Sequence, residues 1–177
     1  MAIETPAPTG TATDPNAGGA QGQQAQPPAI RIMAQYVKDL SFENPGTRAD
    51  TNQPNIDLGI DVGATAHEDG NNIFEVSIRI QAKATSGQAV MFLMELDYAA
   101  MFQLQGFKPE EMEPALLIEC PRLIFPFARR VISDLTRDGG FPPLLVDPID
   151  FRNLYLSQKQ RQQQQAQAGA GAPTQQA

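Results

Sequence analysis

Of 177 residues, one is cysteine, one is histidine and none is tryptophan. The lone Cys120 excludes an internal disulfide and any multi-cysteine metal site, and a single His67 nearly empties the usual inventory for zinc. Basic side chains are the minority, 13 against 20 acidic, and the net charge of −7 argues against nucleic acid as a partner. No run approaches the ~20 consecutive apolar residues of a membrane span. The first 28 residues also lack the basic start and apolar stretch of a secretory signal, so a cytoplasmic protein, not inserted in a membrane, is expected.

Catalytic parts are equally scarce. Gly-rich loops of the Walker or dinucleotide type are missing. Asp57 and Asp61 alternate onto one strand face, but acid–base work needs two carboxyls close together and partly desolvated, and a solvated strand face explains them better. His67 lies in a turn among Glu68, Asp69 and Gly70, where a lone histidine is usually just exposed. Cys120 precedes a helix start, a place that lowers a thiol pKa, yet no basic partner stands beside it. Neither an enzyme nor a cofactor is expected.

What the chain does have is a folded middle between two polar ends. Residues 1–28 are Ala, Gly, Pro, Thr and Gln, and residues 157–177 are Gln, Ala and Gly. Neither end carries enough apolar surface to offset the ~1–2 kcal/mol per residue that ordering a backbone costs, so both are expected to be disordered. Residues 29–156 form the single domain, and the whole charge imbalance lies there, 11 basic against 18 acidic.

Within that domain the period is first two, then three to four. Ile30, Ile32, Ala34, Tyr36, Lys38, Leu40 and Phe42 alternate with Arg31, Met33, Gln35, Val37, Asp39, Ser41 and Glu43, which predicts a strand with one mostly apolar face. Asn44-Pro45-Gly46 breaks it. A second strand carries Ile56, Leu58, Ile60 and Val62, a third runs from Phe74 to Ala84, and Thr85-Ser86-Gly87-Gln88 closes a hairpin. The fourth, Ala89–Leu104, is apolar on both sides and long enough that a bend near Ala99-Ala100 is expected. Gly106 and Lys108-Pro109-Glu110-Glu111 read as a connection.

A helix then opens at Pro121 and stops at Gly139, with Leu123, Ile124, Phe127, Ala128, Val131, Ile132 and Leu135 on one broad face and a kink expected at Pro126. Asp147 or Asp150 caps a last helix bearing Phe151, Leu154 and Tyr155. Strands followed by helices give an α+β domain, a four-stranded antiparallel sheet with two helices packed on one face. Its apolar surface exceeds what two helices cover, so the surplus is expected between subunits, the other reading being a thick core within one protomer.

Two surfaces are candidates for binding. Asp39, Ser41 and Glu43 share a face with Leu93, Glu95 and Asp97, which suits a basic protein partner and equally fits an ordinary solvated sheet face. Phe141, Pro142 and Pro143, with Leu154 and Tyr155, suit either a groove for extended peptides or simple packing of the last helix.

Four stretches, in order, resemble the SecB family of bacterial protein-export chaperones: Tyr36 to Pro45, Phe92 to Glu95, Cys120 to Arg129 and Gly140 to Leu144. The resemblance extends over essentially all of Ile30 to Leu156. It implies a cytoplasmic homotetramer, a dimer of dimers, that holds unfolded preproteins and passes them to the SecA motor ATPase without a cofactor. The family's SecA-contacting positions fall on Asp39, Glu43, Leu93 and Glu95. Its positions tied to tetramer assembly fall on Met94, Leu96 and Tyr98, and its client contacts on Ile56, Leu58, Ile60, Phe141, Leu154 and Tyr155. Many relatives end in acidic residues, whereas this tail carries Lys159, Arg161 and glutamines. A SecB-like chaperone dedicated to an antitoxin, and a small-ligand carrier with a closed cavity, are the two rival readings.

Overall fold

The computed structural model describes residues 27–46, 54–68 and 70–169; the expected N-terminal extension lies outside them up to residue 26. Four strands, β1 (Ala29–Glu43), β2 (Asn55–Ala66), β3 (Ile73–Ser86) and β4 (Ala89–Gln105), form one antiparallel sheet in the order β1-β4-β3-β2. The order places β4 and β3 inside the sheet and leaves β1 and β2 as edges. Even residues of β4 from Phe92 to Leu104 point to the inner face and are buried, while Leu93, Glu95 and Asp97 point outward.

β4 is continuous through Ala99 and Ala100, where a bend was expected. The irregularity is in its partner. β1 slips register between Ile32 and Ala34 and again between Val37 and Asp39, leaving Met33 and Lys38 as the extra residues. Each slip reverses which side the next residues face. The simple alternation read along β1 therefore fails between the two bulges: Tyr36 pairs with Ala99 and faces outward, and Val37 pairs with Tyr98 and faces inward. The second slip restores the parity, so Leu40 and Phe42 face inward and Asp39, Ser41 and Glu43 outward.

The Lys108–Glu111 segment is not a loop. Pro109 opens α1 (Pro109–Pro114), and the Glu111 carboxylate accepts the Lys108 backbone N–H at 3.2 Å. α1 passes through a π-helical turn (Ala115–Glu119) straight into α2 (Cys120–Asp138), so one long helical body replaces the shorter helix predicted from Pro121. Pro121 then lies in a helix interior, lacking an N–H and crowding the preceding turn; the wide π-turn directly ahead of it provides the room. α2 runs on through Pro126, and the departure from α geometry is at the π-turn instead.

Inward-facing Cys120, Pro121, Ile124, Phe125, Ala128, Ile132 and Thr136 of α2 are buried, a narrower stripe than the periodicity indicated. Leu123 and Phe127 remain 45% and 43% exposed, which leaves an apolar outer stripe on the helix. The core joins the α2 stripe to Val76, Ile78 and Ile80 of β3 and Leu96, Ala100, Phe102 and Leu104 of β4, each large aliphatic contributing about 1.5–3 kcal/mol by burial.

At the end of α2, Phe141 N–H donates to Thr136 O (3.0 Å) and Gly140 N–H to Arg137 O (3.0 Å). Gly140 adopts φ +88, the left-handed stop that a residue without Cβ takes readily. The chain then returns along α2. Asp150 caps α3 (Phe151–Gly169), accepting from Asn153 N–H at 3.0 Å, and Phe151 meets Phe125 edge-on at 5.6 Å. α3 continues past Leu156 to Gly169, and residues 170–177 lie outside the described ones.

Candidate binding surfaces

On the outer face the register assembles rows across all four strands. Glu43, Leu93, Lys83 and Asp57 form one row, Ser41, Glu95, Gln81 and Gly59 the next, and Asp39, Asp97, Arg79 and Asp61 the third. The carboxylates expected to share a face with Leu93 do so, and Leu93 is 37% exposed beside them. A hollow of about 430 Å³ lies over the first two rows. Gly59, opposite Gln81 on the edge strand, adds no side chain to fill it.

One ion pair and one hydrogen bond organise these rows. Arg79 Nη2 reaches Asp97 Oδ2 at 3.2 Å, and Gln81 donates to Glu95 at 3.0 Å. Asp97 is 6% exposed, and its other oxygen is buried with no hydrogen-bond partner among the described residues. The carboxylates therefore lie on β1, β4 and β2, with the cations of β3 between β4 and β2.

Sequence reading missed a second cluster on this face, because it exists only through the bulges. Tyr36 and Lys38 of β1 reach across β4 to Glu75 of β3, the tyrosine donating its hydroxyl proton and the lysine its ammonium. The Lys38 ammonium, with the Tyr36 hydroxyl second, holds the Glu75 carboxyl below its usual range. Its hydrogen bond to Glu75 raises Tyr36 to about 12, helped by burial, and the separate bond from Lys38 to Glu75 raises Lys38. Cys120 is pushed up to about 12 by burial, the opposite of an activated thiol.

The inner face holds the other expected residues, in two places. Phe42, Phe92 and Phe141 form an aromatic cluster with ring centroids 5.1–6.3 Å apart. Leu154 and Tyr155 pack beside the π-turn at the opposite end of α2 from Phe141, and the 19 residues of that helix span about 28 Å at ~1.5 Å per residue. They are not brought together with Phe141 in one protomer. There α3 is tied to α1 by Lys159, which contacts Glu113 at 3.3 Å and the Tyr155 hydroxyl at 2.8 Å, and to β2 by Gln158 donating to Asp61 at 2.7 Å.

Ile56 and Leu58, 38% and 37% exposed, and half-buried Ile60 line the inner rim of β2. Met94, Leu96 and Tyr98 are 3%, 0% and 7% exposed inside the protomer, under the helical layer. Exposed apolar surface on the inner side lies instead on Ile32, Val37 and Leu40 of β1 and on Leu123 and Phe127 of α2. Among the described residues no group of three or more His, Cys, Asp or Glu could hold a metal ion, and no helix is long and apolar enough to cross a membrane.

The protomer thus combines a charged, uncovered sheet face with a helix-covered face that keeps an apolar rim. Residues 23–163 match the family described as preprotein translocase subunit SecB, and the chain belongs to that family. It is 61% identical to the protein-export protein SecB of Hyphomonas neptunium over 149 residues, 82% of this chain and 90% of the relative. It is 56% identical to the protein-export protein SecB of Maricaulis maris over 144 residues, 78% and 82% of the two chains. Among solved structures, a SecB-like chaperone of Mycobacterium tuberculosis in complex with an antitoxin peptide shares the fold. Its TM-score is 0.59 at 18% identity, over 68% of this chain and 90% of that one.

Proposed function

We propose that this chain is a cytoplasmic export chaperone that binds unfolded preproteins, keeps them unfolded and delivers them to the SecA motor. The carrying observation is the family match combined with an apolar rim that the protomer leaves uncovered at Ile56 and Leu58. Unfolded chains expose apolar and aromatic segments, and the rim with Ile60, Phe141, Leu154 and Tyr155 offers several separated footholds for one extended client. Weak contacts at each add by avidity, so no single tight site and no ATP are required.

SecA docks on the outer face at Asp39, Glu43, Leu93 and Glu95, where carboxylates steer a basic partner and the half-exposed leucine supplies a dry anchor. The protein assembles as a dimer of dimers through the uncovered stripes of β1 and α2. Met94, Leu96 and Tyr98, buried beneath α2, bear on that assembly by setting the helix's seat.

Reversing charge at Asp39 and Glu95 tests the reading. Binding to SecA falls at least tenfold by titration, while light scattering still shows a tetramer capturing a reduced, unfolded client. Loss of client capture with SecA binding intact would refute the division between the two faces.

A further inference from the structure

The last residues of β1 touch both proposed surfaces. Glu43 points outward opposite Leu93, and Phe42, its neighbour, points inward against Phe92 and Phe141. Just beyond, the Asn44 side chain makes two bonds: its Oδ1 accepts Gly46 N–H at 2.9 Å, and its Nδ2 donates to Gly139 O at 3.1 Å. Gly139 is the residue at which α2 ends, and a Cβ there would run into the Phe42 ring. Two residues later comes Phe141, whose N–H is held by Thr136 O.

β1 is an edge strand, like β2, with a ladder on one side only, so pairing restrains its end from one side alone. Asn44 supplies the missing restraint, and it does so by bonding to the helix terminus that aims Phe141. A displacement of Glu43 by a docked partner is therefore shared with Gly139 and with the aromatic cluster.

We propose that Asn44 is a positioning residue that couples the acidic docking face to the Phe42–Phe92–Phe141 cluster, so that occupancy of the outer face resets Phe141 and weakens the hold on a client. The inference rests on the docking reading above. Coupling of this kind is reciprocal: client bound at the cluster weakens docking by the same factor.

The chain has no tryptophan, so Phe141→Trp gives a single site for 5-fluorotryptophan, read by fluorine NMR without interference from SecA. With Asn44 intact, saturating SecA shifts the resonance. Asn44→Asp keeps the acceptor for Gly46 N–H and removes the donor to Gly139. With it SecA binds within threefold of the parent, melting changes by a few degrees at most, and the shift is lost.

A shift that persists in Asn44→Asp, or an unmoved resonance when SecA binds the parent, overturns the coupling. Failure of SecA to bind the parent refutes the docking reading instead, and Glu43→Lys then judges the link. That substitution moves the resonance with Asn44 present and leaves it fixed in Asn44→Asp; equal shifts in both backgrounds reject the inference.

Discussion

The two faces of the sheet are built from the same strands and solve opposite problems. On the inner face, Phe92, Met94, Leu96 and Tyr98 of β4 are covered by the chain's own helix, and what matters there is filled volume. On the outer face no helix of the described chain lies over Leu93 or Glu95, and what matters is the order of charges across the rows. Alternation along one strand thus separates a surface that holds the protomer together from one left free to meet something else. Only at the rims, on β2 and β1, does inner-face apolar surface escape its cover.

The contrast can be broken most severely from inside. Phe92→Ala removes a buried ring stacked on Phe42 at 5.6 Å and is expected to cost about 3–5 kcal/mol in denaturant unfolding. Gly139→Ala puts a methyl group against the Phe42 ring and is expected to cost about 1–3 kcal/mol, with altered Phe141 amide exchange. The third test reaches the outer face. Arg79→Leu strips the half-exposed partner from nearly buried Asp97 and is expected to cost about 1–2 kcal/mol, which Asp97→Asn in the same chain partly restores.

The smallest effect is a pH dependence from the Tyr36–Lys38–Glu75 cluster. Glu75 titrates below its ordinary 4.5 in the folded state, so its contribution is full above that pH and fades as pH falls through the lowered value. Tyr36 is raised from 10.0 to about 12, so its contribution is full below pH 10.0 and fades as pH climbs toward 12. Glu75→Gln should flatten both limbs of the stability profile by at most about 1 kcal/mol, because the cluster is open to solvent. An unchanged acid limb would show that the cluster contributes nothing to stability.

Much of this was legible in the residues. Period-two runs gave the four strands, and the parity of β4 placed Leu93, Glu95 and Asp97 with Asp39, Ser41 and Glu43. In β1 the apolar Leu40 and Phe42 alternate with Asp39, Ser41 and Glu43, so that end of the strand has one satisfactory register. The middle of β1 was not legible. A bulge inserts a residue without a composition signal, and Tyr36 and Val37 are each apolar enough to read as either face. The helical start at Pro109 was hidden by proline and acidic residues, which suit a first helical turn as well as a loop. Phe141 and Tyr155 both looked like parts of one groove, since sequence distance says nothing of the helix length that separates them.

By itself the sequence determined which residues must leave water, which must stay in it, and where the chain must turn, because periodicity and turn chemistry are local properties. The tertiary structure alone decided that Lys38 and Tyr36 meet Glu75, that Asn44 holds Gly139, and that Leu123 and Phe127 remain uncovered. Those outcomes depend on register slips and on the seating of a helix over a twisted sheet. They are fixed by how whole elements pack together, which no window of neighbouring residues specifies.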